Sequence, residues 1–183
     1  MSDREAELQA AHVGKVEVHG KPIELVDYDP AWPELYEREA EKIHAALGEG
    51  VLRLEHAGST SVPGLAAKPI IDIVLTVADS ADEDSYVPAL EAAGYGLAIR
   101  ERDWHEHRAL KSTDPKVNLH VFSAGCPEIE RMLVFRDRLR ANKADRDLYE
   151  RTKRDLARRT WEYTQDYADA KSEVVEEILV RGG

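Results

Sequence analysis

The chain has 183 residues, 43% hydrophobic and 33% charged, which suits one domain with a single core and a strongly solvated surface. Its 36 acidic and 25 basic residues give a formal net charge of −11, which works against wrapping a nucleic-acid backbone, because that affinity rests on clustered Lys and Arg. One cysteine, Cys126, excludes an intramolecular disulfide and a cysteine-based zinc site, and no segment reaches the roughly 18–20 apolar residues of a membrane span, so a reducing cytoplasm is the expected setting.

Residues 1–21 lack sustained periodicity and read as a flexible N-terminal arm, followed by a single domain over residues 22–183. Ile23 to Asp27 alternates as a strand does, Tyr28-Asp29-Pro30 breaks the pattern, and Trp32 to Leu47 has helical spacing with Asp29 as the expected N-cap. Val51 to His56 predicts a strand that enters a loop over Ala57 to Pro69. The next run, Ile70 to Val77, is β-branched and apolar, as in a central strand buried on both faces, and Asp72 is its single carboxylate.

A helix is predicted over Ala81 to Ala93, closed by Gly94, and strands over Tyr95–Arg100, Trp104–Lys111 and Val117–Phe122, with Asp114-Pro115 turning between the last two. The C-terminal third predicts helices over Pro127–Ala141, Asp145–Tyr163 and Gln165–Val180. About five strands with helices before, between and after them give an α+β class: a mixed sheet flanked by helices, with a C-terminal helical segment.

The chemistry concentrates in His56-Ala57-Gly58-Ser59-Thr60-Ser61-Val62-Pro63-Gly64-Leu65-Ala66-Ala67-Lys68-Pro69. Two glycines, three hydroxyls and a lysine between two strands offer backbone N–H groups, hydroxyls and charge to an anion, so Gly58, Ser59, Thr60, Ser61 and Lys68 are candidate phosphate or nucleotide ligands. No Gly-Lys-Ser/Thr closes the loop, which excludes a Walker A reading, and no Gly-x-Ser-x-Gly elbow surrounds Ser59 or Ser61 to make a serine nucleophile.

A Gly-Ser turn after one strand and an aspartate on the next resembles the DNA polymerase β-like nucleotidyltransferase superfamily. There the turn holds triphosphate, and two carboxylates at i and i+2 share one strand face and bind divalent metal. In this chain the residue two after Asp72 is Val74, so that set is incomplete.

At finer grain the chain resembles the GrpB family. The resemblance rests on Tyr28-Asp29-Pro30-Ala31-Trp32, Gly58 to Leu65 with Lys68-Pro69 and Asp72, Leu119-His120-Val121, Phe135 to Arg140, and Tyr163 to Lys171. It implies a nucleotidyltransferase-like fold, an activity inferred rather than established, and an association with dephospho-coenzyme A kinase through fused homologous domains.

His120 lies where the superfamily would place a third carboxylate, and with Asp72 it is the expected catalytic pair. His105 and His107 are two apart, so a strand there would send both imidazoles to one face and extend a metal set of Asp72, His120, His105 and His107 for Mg²⁺ or Mn²⁺, or for Zn²⁺. His56 could serve as base or pack under the loop. Arg108 and Arg136 are candidate phosphate contacts, as is Lys171, whereas the other basic residues of the C-terminal third pair with acids along helices.

The function expected is a nucleotidyltransferase-like enzyme that binds a nucleotide or phosphorylated small molecule with a divalent metal. Two readings compete with it: a non-catalytic ligand-binding module linked to coenzyme A metabolism, and a His/Asp metal-dependent hydrolase. Neither a membrane nor a nucleic acid is an expected partner, and a homodimer stays open.

Overall fold

The computed structural model describes residues 2–183. Among the described residues a five-stranded sheet is formed by β1 (Arg53–Ala57), β2 (Ile71–Val77), β3 (Gly96–Glu101), β4 (His107–Thr113) and β5 (Lys116–Ser123), in the order β1-β2-β5-β4-β3. Only β2 and β5 run parallel; the other three pairings are antiparallel, which makes the sheet mixed and the fold α+β. The helices are α1 (Asp3–Ala11), α2 (Trp32–Leu47), α3 (Val87–Ala92), α4 (Pro127–Ala141), α5 (Lys143–Ala157), α6 (Thr164–Ala170) and α7 (Ser172–Arg181).

The period-2 pattern of β2 divides the molecule into two faces. Ile71, Ile73, Leu75 and Val77 point to the main core, where they meet Leu110, Leu119 and Val121 from neighbouring strands and Trp32, Ile43 and Leu90 from α2 and α3. Each such side chain contributes about 1.5–3 kcal/mol on burial, so this layer supplies most of the hydrophobic stabilisation. On the opposite face Val74 and Phe122 lie under Ile129 and Leu133 of α4. Further along that face Asp72, His107 and His120 line a cleft whose other walls include residues of α1 and α6.

The C-terminal helices hold the loop between β1 and β2. Val62 and Leu65 are fully buried against Leu139, Tyr149 and Ile178 of α4, α5 and α7, so the loop is clamped from outside the sheet.

Several expectations are corrected. The segment read as a flexible arm contains α1, whose Leu8 is buried and whose Arg4 pairs with Asp166 and Asp169 of α6; Met1 lies outside the described residues. Ile23 to Asp27 is not a ladder strand. It makes one bridge, Val26 with Ala67, and its alternation reflects Ile23 packing on Leu156, Ala157 and Tyr167.

The helix expected from Ala81 starts only at Val87, with a proline in its first turn and a short 3-10 turn over Glu83–Ser85 before it. The last two predicted helices are three, because α5 stops at Ala157 and the following stretch divides at Lys171 into α6 and α7.

Val74 is 1% exposed beneath α4. Val74→Asp would bury an unpaired carboxylate there and is expected to cost more than about 3 kcal/mol, seen as a lowered urea midpoint. A variant within about 0.5 kcal/mol of wild type would show that this position is open to water.

Candidate functional site

The cleft has a volume of about 580 Å³ and its floor is built where β2, β3, β4 and β5 meet the loop after β1. Ala57 pairs with Asp72, and the chain then turns at Gly58 into a 3-10 turn over Ser59–Ser61. Gly58 adopts φ +66° and ψ −174°, a region open essentially to glycine alone. A Cβ there would sit 2.5 Å from Asp72 Oδ2. The loop therefore crosses flush against the carboxylate only because position 58 has no side chain.

Asp72 Oδ1 accepts from His120 Nε2 at 3.2 Å, His120 Nδ1 meets His107 Nε2 at 3.1 Å, and His107 Nδ1 meets Glu101 Oε2 at 2.6 Å. This chain of four groups crosses β2, β5, β4 and β3 in their sheet order. Burial works to raise the Asp72 pKa, but the hydrogen bond and charge of His120, with Lys68 and Asn118, outweigh it and hold the carboxyl below its ordinary value. Burial, helped by His120 and Arg108, keeps His107 below the ordinary imidazole range against the pull of Glu101.

Lysines form the other wall. Lys153 is 2% exposed and donates to Ser59 Oγ at 2.9 Å and to the Ala66 carbonyl. Lys68 and Lys171 both lie over the Tyr167 ring, with their Nζ atoms 5.6 and 4.6 Å from its centroid. Burial is the main cause that pulls Lys153 down to about 7 and Lys68 to about 8, and in both Lys171 adds repulsion; Lys171 is itself lowered by burial. Around the whole cleft five lysines (15, 68, 111, 153 and 171) face three carboxylates (Glu17, Asp72 and Glu101), in a protein whose net charge is −11.

The structure brings together Ser59, Thr60, Lys68, Asp72, His107 and His120, all of which line the cleft, and leaves other expected residues elsewhere. His105 is not on a strand: it and Glu106 take φ 55° and 48° in the turn before β4, so His105 does not share a face with His107. Arg108 points to the opposite side of β4, 3% exposed, where it and Arg100 engage Glu83; the Arg100 hydrogen bond, then Arg108, hold that carboxyl at about 2.

Arg136 lies behind the loop, paired with Glu55 and Asp137 and donating to the His56 carbonyl. Ser61 turns inward to the Gly58 carbonyl, and its own carbonyl accepts from Arg140. His56 is a packing residue, stacked on Tyr36 at 4.8 Å and bonded to Thr60 Oγ1 at 3.0 Å.

A two-ion metal set does not fit these residues. The i+2 position from Asp72 is buried valine and Oδ1 is taken by His120, which leaves one carboxylate oxygen, beside Gly58, for any cation. Among the described residues no group of three or more His, Cys, Asp or Glu could hold a metal ion.

Sequence reasoning missed Lys153 and Glu101. Lys153 falls on the buried stripe of α5 with Asp145, Tyr149 and Leu156, at helical intervals of four, four and three, and that placement was its available signal. Glu101 ends β3 and carried none.

The mixed five-stranded sheet with a Gly-Ser turn facing a strand aspartate is consistent with the nucleotidyltransferase-like class. The family model described as GrpB protein matches residues 22–181, and the chain belongs to the GrpB family. It is 59% identical over 175 residues to the UPF0157 protein BH1888 of Halalkalibacterium halodurans, covering 96% of this chain and 90% of that one. It is 47% identical to the UPF0157 protein SCO7215 of Streptomyces coelicolor, over 93% and 92% of the two chains. The crystal structure of conserved protein GrpB from Enterococcus faecalis superposes with TM-score 0.70 and 33% identity, covering 86% of this chain and 98% of that one. A dephospho-CoA kinase of Mycobacterium bovis is 31% identical over 88% of this chain but only 46% of its own length.

Gly58→Ala is expected to destabilise by about 2–4 kcal/mol, from backbone strain and the clash with Asp72, in urea denaturation. A loss below about 0.5 kcal/mol would mean that the loop can lift off the carboxylate without cost.

Acid stability provides a second check. Burial, with Arg140 and Arg136, holds His56 down at about 4 against the pull of Asp72, while the unfolded chain titrates near 6.5. Between these values the unfolded state binds a proton that the folded state does not, so stability falls as pH drops through the window, by at most about 3 kcal/mol. His56→Phe should flatten the slope of unfolding free energy between pH 6.5 and pH 4; an unchanged slope would contradict a neutral buried His56.

Proposed function

We propose that this protein binds a nucleotide or phosphorylated small molecule in the cleft, with its phosphate against Ser59 and Lys68. The observation that carries the reading is the concentration of lysines beside a hydroxyl-bearing 3-10 turn inside an otherwise acidic protein. Field lines from these ammonium groups are focused by a partly desolvated cleft and attract a small anion, whereas the acidic exterior repels a polyanion.

Asp72 and His120 are the proposed chemical groups. An ionised Asp72 at the cleft floor can accept a proton from a hydroxyl of the ligand or acceptor, leaving the negative charge on that oxygen beside the cleft lysines, and His120, joined to His107 and Glu101, orients the carboxylate. A binding module without turnover is the second reading. The dephospho-CoA kinase relatives, each longer than the part matched here, favour including coenzyme A compounds among its ligands.

Thermal shift with nucleoside triphosphates, coenzyme A and dephospho-coenzyme A, each with and without Mg²⁺ or Mn²⁺, tests the reading. A ligand at about 100 times its Kd should stabilise by roughly 2.7 kcal/mol, or about 5–11 °C, and Ser59→Ala should diminish the shift. A flat panel at millimolar ligand would count against a phospho-ligand site.

A further inference from the structure

The cleft floor combines a charge excess with a blocked metal position. Lys68, Lys153 and Lys171 lie about Ser59 and Asp72, three ammonium groups to the one carboxylate among the residues that line this deep end, with Glu150 acting on Lys153 from outside it. Asp72 Oδ1 accepts from His120 Nε2, and the Gly58 backbone passes close beside Oδ2. The position that would supply a second metal carboxylate is Val74, sealed beneath α4.

We propose that the cleft takes the doubly charged phosphoryl end of its ligand without a divalent cation, the ammonium groups of Lys68 and Lys171 doing the neutralising that metal ions do elsewhere. The inference rests on the phospho-ligand reading above and goes further in naming a dianion and a metal-free mode.

The geometry assigns distinct roles. Lys153 is committed to Ser59 Oγ and the Ala66 carbonyl, so it fixes the Ser59 hydroxyl and lends charge from below. Lys68 and Lys171 have no carboxylate partner within ion-pair distance among the described residues, and both lie over one buried aromatic ring, Tyr167. An ammonium group parked on a ring face keeps its N–H donors free in a way that a salt-bridged one does not. Elsewhere on the protein the basic side chains are largely taken up by acids, as Arg100 and Arg108 are by Glu83. The free cations are thus where a dianion would be held.

Calorimetric titration of the full chain with inorganic phosphate and with adenosine 5′-monophosphate, in EDTA and again in Mg²⁺, tests this. Binding in EDTA that Mg²⁺ changes less than about threefold, and that weakens at least tenfold (about 1.4 kcal/mol) in Lys171→Met and in Lys68→Met, is the expected result. Two variants are used so that a folding defect in one leaves the other informative. Both should melt at or above the wild-type temperature without ligand, since each removes one of several mutually repelling buried charges. Binding only in Mg²⁺ overturns the metal-free mode while leaving the phospho-ligand site standing. Binding in EDTA unaffected by either substitution places the anion elsewhere and also overturns it. No binding of either compound under either condition removes the phospho-ligand reading along with it.

Discussion

The approach of Gly58 to Asp72 governs the rest of the site. A carboxylate on a strand buried on both sides needs partners, and here one oxygen receives the His120 imidazole while the other is roofed by a backbone that any side chain would push away. Because the loop lies so close, its next residue, Ser59, starts a tight 3-10 turn within reach of Lys153 from α5, and the C-terminal helices clamp the outer side of the loop through Val62 and Leu65. Strand, loop and helix α5 are thereby locked to one another at one point. Thr60 and Lys68 lie on the same loop and are held further by their own contacts, Thr60 with His56 and Lys68 over the Tyr167 ring.

The proposed function gives this lock an electrostatic purpose. On that reading, a lysine-lined cleft in a protein of net charge −11 would favour a small anion over a polymeric one, because a polyanion would have to approach the whole surface and a small molecule only the cleft. The arrangement opposes stability when empty: partly desolvated ammonium groups near one another lower each other's pKa, and Asp72 offsets only part of the repulsion. Sites that retain such strain commonly do so for a ligand. The Glu101-His107-His120-Asp72 chain ties the cleft floor to the edge of the sheet through three hydrogen bonds.

Where local pattern and tertiary packing agreed, the sequence was transparent. The Ile70–Val77 run differs from β2 by one residue, and α4 begins and ends at Pro127 and Ala141 as its spacing implied, because an apolar β-branched run and a proline-started helix each have one way to pack. The loop and Asp72 were legible for the same reason: glycines, hydroxyls and a lone carboxylate stand out against apolar strands. Helix α1 was not legible, since a short polar helix is held by Arg4 pairing with residues more than 160 positions away. His105 was misplaced by assuming extended geometry through a turn that has two positive φ angles, and Arg108 because alternation gives faces but not which face is the cleft. Lys153 was hidden among helical charge pairs, where only its place on the buried stripe set it apart.

The account turns on the cleft lysines holding an anion above Asp72, and a crystal structure of the protein with adenosine 5′-monophosphate in the presence of EDTA examines that most directly. The account predicts a phosphoryl group within about 3.2 Å of Ser59 Oγ and of the ammonium groups of Lys68 and Lys171, with the Asp72–His120 hydrogen bond intact. A phosphoryl group bound outside the cleft, or one that displaces His120 from Asp72, would contradict it.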